Sequence, residues 1–133
     1  MGVPPGEQRG WVLMTRHEDI WREQCDATAI IQSRYGEKAA LDYLIGEKLL
    51  LFTTTAKEHP AFAAQLPAFI GRVRQMFARE VMLRYLHYLE ARLTQESHEV
   101  DPDDIILVSR AASDLNSLQQ VADLLRAESL GTA

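Results

Sequence analysis

A chain of 133 residues, 47% apolar and 25% charged, is long enough to bury one core and too rich in apolar residues to be disordered. Its net charge of −5 works against general nucleic-acid binding, which draws its affinity from Lys and Arg. The single cysteine, Cys25, excludes an intramolecular disulfide and a cysteine-built metal site.

Residues 1–10 hold three glycines and two prolines and read as a flexible arm with no signal-peptide core. Gly6 stands where a myristoylation motif calls for Ser or Thr. Trp11 opens the apolar run Trp11–Met14, the first anchor onto a domain spanning 11–130. Thr15 and Glu18 fit a capping box, so the first helix is expected over 16–35, with Trp21 on its apolar face and Gly36 as its stop.

The next helix, 37–55, carries Ala40, Leu41, Leu44, Ile45, Leu49 and Phe52 at three- and four-residue steps. Its apolar girth predicts a central position. Gly46 in mid-helix costs ~1 kcal/mol relative to alanine, which close approach of another helix would explain. Glu47 and Lys48 are the anomaly in this helix. Lys48 falls on the inner stripe, where it either packs its stem and snorkels or joins a buried pair or ligand contact. The run Leu49–Phe52 is far short of the ~20 apolar residues of a membrane span.

His59-Pro60 and Leu66-Pro67 predict two corners, with a short helix over 60–65 and another from Pro67 to about Phe77. A helix over 78–95 follows, with Met82, Leu86, Leu89 and Leu93 as its spine. Asp101 as cap and Pro102 at the first helical position then open a last helix. Val108, Ala111, Leu115, Leu118, Ala122 and Leu125 form its coiled-coil-like seam. The expected architecture is all-α, a single-domain bundle of five to six helices around the central apolar helix 37–55.

The search for chemistry gives no catalytic, metal or cofactor residues. No two of His17, His59, His87 and His98 stand three or four apart, so no helix offers a histidine pair. Cys25 sits between Gln24 and Asp26, where a thiolate is disfavoured. No nucleophile elbow, P-loop or dinucleotide fingerprint occurs.

Charge is uneven along the chain. Residues 1–67 hold seven Lys/Arg against nine Asp/Glu, residues 68–95 five against two, and residues 96–133 two against eight. Arg72, Arg74, Arg79 and Arg84 with Tyr85 and Tyr88 are the best nucleic-acid candidates, but at 3.6 residues per turn the arginines scatter around the helix. Tyr, Arg and Met there suit a protein interface better.

At HEDIWREQC, YLIGEKLLLF and HPAFAAQLPAFIGRVRQMF, over about residues 16–77, the chain resembles small uncharacterised helical proteins of proteobacterial integrative conjugative elements and plasmids. The resemblance implies a bacterial, cytoplasmic, mobile-element setting and carries no site residues. The functional expectation is a non-enzymatic protein-interaction module without cofactors, binding a protein partner or itself and not a membrane. The residues put forward for it are Trp11, Trp21, Glu47, Lys48, Arg72, Arg79, Tyr85, Tyr88, Leu115 and Leu118. The alternatives are a nucleic-acid-associated regulator using the Arg72–Tyr88 region, or a small enzyme or ligand carrier with an inter-helix pocket near Lys48.

Overall fold

A computed structural model of the protein describes the backbone of residues 5–127 and the side chains of residues 20–127. These residues form an all-α bundle of five rods with no strand. The rods are α1 (Pro5–Tyr35); a central rod made of α2 (Glu37–Tyr43), a π-helical segment (Leu44–Leu49) and α3 (Leu50–Ala56); α4 (Pro60–Met76); α5 (Arg79–Glu99); and α6 (Ile105–Arg126).

The central position read for the 37–55 helix is borne out. Leu44, Ile45 and Leu49 are fully buried, and α1, α4 and α6 all pack on this rod. Gly36, at φ +96°, ends α1 in the left-handed region where only glycine is free of a Cβ penalty. Its N–H donates to the Gln32 carbonyl at 3.0 Å, satisfying one of the last orphan acceptors. An aromatic chain runs through the core: Trp21 stacks on Phe69 at 5.7 Å, Phe69 meets Phe52 edge-on at 5.1 Å, and Phe52 meets Phe62 at 4.7 Å.

Several boundaries differ from the sequence reading. The helical backbone of α1 begins at Pro5, not near residue 16, so it takes in Thr15 and most of the stretch read as an arm. Pro5 suits a first helical position because its missing N–H is an orphan there anyway. Pro67 does not make a corner, since α4 runs through it as one helix. Pro67 is exposed, so its lost backbone bond faces solvent and not the core. Pro60 does open α4, with His59 as its extended cap.

The chain breaks between α4 and α5 at Phe77 and Ala78, both extended, with the Phe77 ring buried as a plug. The last helix starts three residues later than read. Asp104 caps it, accepting from the Leu107 N–H at 3.1 Å. Asp101 instead folds the approach into a turn, accepting from the Asp103 N–H at 2.9 Å. From there α6 continues unbroken through Ser113-Asp114 to Arg126.

The π segment answers the question posed by Gly46. A Cβ built on Gly46 would lie 2.5 Å from the hydroxyl oxygen of Tyr85. Glycine therefore lets a buried tyrosine of α5 press against the central rod. The extra residue in the π turn shifts the register of the apolar stripe there, as such insertions do where a helix must accommodate a neighbour.

Candidate functional site

The two ends of α6 meet different surroundings. Ser117, Leu118, Val121, Ala122 and Leu125 are buried against the bundle. Beside them α6 is tied to the central rod: Thr54 and Ser117 share a hydrogen bond at 2.7 Å, and the Lys57 ammonium donates to Asn116 at 2.7 Å and to Ser117 at 3.1 Å. Towards its N-terminus α6 parts from α3. An open groove of about 780 Å³ lies between Gly46, Glu47, Leu50, Leu51 and Thr54 on one wall and Ser109, Arg110, Ser113 and Asp114 on the other.

The first turn of α6 then stands clear of the core. Ile105 is 77% exposed, Ile106 73%, Leu107 42% and Val108 43%. Two further depressions are lined by these residues, and the broad groove begins just beyond them. Ile106 lies one helical turn before Ser109 and Arg110 on the groove wall. Leu107 and Arg110 line a smaller hollow of about 140 Å³ against Leu93, Glu96, Ser97 and Val100 of the α5 end. Ile105 and Ile106 line a third with Asp101, Asp103 and Asp104. Leu51 on the opposite wall is likewise exposed.

This apolar ground is ringed by carboxylates. Glu47 and Asp114 line the broad groove, Glu96 the hollow beside Leu107, and the three aspartates the helix start; Arg110 is the basic residue among these linings. Burial pushes the Asp114 carboxyl above its ordinary range; Arg110 opposes that rise and Glu96 adds to it.

The residues singled out from the sequence scatter over the molecule. Trp11 lies outside the described side chains. Trp21, Tyr85 and Leu118 are core residues, not contact surface. Leu115 is half-buried, and of the expected seam Val108 is exposed and Ala111 half-buried, because α6 parts from the central rod there. Lys48 snorkels: its ammonium lies 3.3 Å from Glu47 and 5.4 Å above the Tyr43 ring. The Glu47 side chain is mostly exposed, so this is a surface pair and not a buried one. Glu47 faces the broad groove, whereas Lys48 is not among its lining residues.

Arg72 is exposed on α4 and Arg79 lies on α5 beyond the Phe77–Ala78 break, so the arginines form no single stripe. The Arg79 guanidinium donates to the Arg126 carbonyl at 2.8 Å, closing the end of α6. Cys25 is a core thiol. Burial, opposed by Arg72 and aided by Asp26, pushes its pKa up to about 11.

Sequence reasoning missed a polar cluster between α2 and α5. The Tyr85 hydroxyl donates to Asp42 at 2.7 Å, and Lys38 donates to the same carboxylate at 2.9 Å. Arg92 stands 3.9 Å from Asp42 and 3.7 Å from Glu96, linking this cluster to the hollow beside Leu107. Tyr88 lies beneath both Lys38 and Arg92, at 4.8 and 5.9 Å from its ring centre. Burial pushes the Asp42 carboxyl up, but hydrogen bonds from Tyr85 and Lys38 and the charges of Lys38 and Arg92 outweigh it and hold it below the ordinary range. The i,i+4 pair Lys38–Asp42 was legible in the sequence; the 43-residue jump to Tyr85 was not.

Among the described residues no three His, Cys, Asp or Glu side chains gather to hold a metal ion. No described helix is long and apolar enough to cross a membrane. Compared with protein-family models, with curated proteins and with solved structures, the chain matches none.

Proposed function

We propose that the chain is a non-enzymatic interaction module that docks a protein through the first two turns of α6 and the grooves beside them. The observation that carries this reading is the solvent exposure of four consecutive large apolar residues, Ile105–Val108, in a chain with a well-filled core elsewhere. Fully burying one such side chain is worth ~1.5–3 kcal/mol, so a partner covering this turn gains more than surface polar contacts would return. Contiguous exposed apolar ground of this kind marks interaction sites. The grooves reinforce it, because they give a partner concave walls and not a flat patch. A place among accessory or inhibitor proteins of a bacterial mobile element rests on the resemblance at residues 16–77 alone.

The test is site-specific photo-crosslinking in cells that produce the protein. A benzophenone side chain at Ile106 is expected to give a discrete protein adduct, and the same group at exposed Glu90 on α5 is expected to give none. Equal adducts at both positions, or none at Ile106, would remove the docking reading.

A further inference from the structure

We infer that the occupant of this face is a basic amphipathic helix of a partner protein, an inference that rests on the docking reading above. The shape argues for a helix. The broad groove follows two helices side by side, Gly46 to Thr54 on the central rod and Ser109 to Asp114 on α6. Its central-rod wall offers Leu50 and Leu51, while Ser109 and Ser113, one turn apart on the other wall, are small enough for a third backbone to come close. Ile106 is exposed one helical turn before Ser109 and Arg110, so apolar anchors at helical spacing on an incoming helix would meet Leu50 and Leu51 in the groove and Ile106 beyond it.

The charge argues for a basic partner. Carboxylates of Glu47, Glu96, Asp101, Asp103, Asp104 and Asp114 flank the apolar ground. Lys48 pairs with Glu47, Arg92 with Glu96, and Arg110 lies among the linings, which leaves the surround acidic. Lys and Arg on the flanks of an incoming helix would pair with them and bury their stems along the walls. A second copy is disfavoured as occupant, since a two-fold contact sets the same patch on itself and brings acid against acid.

Fluorescence anisotropy with the full chain and three synthetic peptides tests this. The first peptide has a leucine face at helical spacing flanked by lysines. The second keeps the leucines and replaces lysine by glutamate, and the third keeps the lysines but scrambles the leucines. The first should bind at least tenfold tighter than either of the others, and its affinity should fall with added salt. The double variant Ile105→Ser/Ile106→Ser should weaken it at least tenfold. Glu96→Gln/Asp103→Asn should weaken it severalfold and flatten the salt dependence, with an unchanged circular dichroism melt showing that both variants fold.

Equal binding of the lysine and glutamate peptides, lost in Ile105→Ser/Ile106→Ser, overturns the basic partner while leaving the docking face. Failure of all three peptides beside a positive Ile106 crosslink overturns it as well; failure of both experiments removes the two readings together. Self-association by light scattering that the Ile105→Ser/Ile106→Ser variant abolishes would assign the face to a second copy and overturn the inference.

Discussion

Ile105–Val108 and the set Leu118, Val121, Ala122 and Leu125 belong to one helix and are all apolar, yet the first faces solvent and the second lines the core. Intrinsic hydrophobicity does not separate them; the first is the more apolar run. The difference lies in what stands opposite. At Ser117 the central rod is close enough for hydroxyl-to-hydroxyl and ammonium contacts, whereas at Ser109 and Ser113 it has moved away and left a groove. One half of α6 is a strut against the central rod, and the other begins with an exposed apolar turn.

Paired truncations test this contrast most sharply. Leu125→Ala removes a fully buried side chain and should cost ~2–5 kcal/mol in urea unfolding. Ile106→Ala, on the exposed turn, should change stability by no more than about 0.5 kcal/mol. If the two cost the same, the first turn is covered in solution and the contrast fails.

A smaller effect is expected at the groove's far wall. Gly46→Ala pushes a methyl group against the Tyr85 hydroxyl; overpacking of this kind costs about 1–3 kcal/mol, while the gain in helix propensity returns about 1 kcal/mol. The net is a loss of up to ~2 kcal/mol, by thermal or urea unfolding. In a Tyr85→Phe background the obstructing oxygen is gone and Gly46→Ala should become neutral or stabilising. A Gly46→Ala cost that persists in that background would mean that the π segment, and not the tyrosine, demands glycine.

At the closed end, Ser117→Ala removes a buried hydroxyl while Thr54 retains its bond to the Leu50 carbonyl and Lys57 retains Asn116. The expected loss is about 1 kcal/mol. A larger loss would show that this contact clamps α6 to the rod and so sets where the groove begins.

The all-α class, the central rod and the stop at Gly36 were legible because each rests on local pattern: apolar residues at helical steps and a glycine where a helix must turn. Gly46 was readable as a sign of close approach, but nothing local named Tyr85 as the approaching group. The Asp101-Pro102 signal misled by three residues because an aspartate before a proline serves a turn as well as a cap, and Asp104 supplied the competing cap. Pro67 misled because an exposed proline can sit inside a long helix when the bond it forfeits faces water. The exposure of Ile105–Val108 was hidden for a deeper reason. The heptad-like seam on α6 states which side of the helix is apolar, but not how far along that side a neighbour extends. Tyr85, Leu118 and Trp21 looked like interface residues by type, and the same aromatic and branched side chains are what a core uses.

The smallest expected effect concerns the polar contacts between α5 and α2. Asp42 ties that helix to α2 through Tyr85, and Arg92 carries the contact on towards Glu96 in the hollow beside Leu107. Because the folded-state pKa of Asp42 lies below its ordinary value of 3.8, the unfolded chain takes up the proton first as pH falls. The stabilisation is therefore present above that value and is lost on descending through the lower, folded pKa. Asp42→Asn removes the charge at every pH, so the stability gap between the two proteins should be open at neutral pH and close in acid. Urea midpoints of both proteins at neutral pH and at about pH 3 and below measure it. With more than a third of the Asp42 side chain in solvent, screening keeps the gap small. A gap that stays constant into acid would show that Asp42 acts as a neutral hydrogen-bond acceptor. The Arg92 bridge would then carry no charge-dependent coupling between α2 and the hollow beside Leu107.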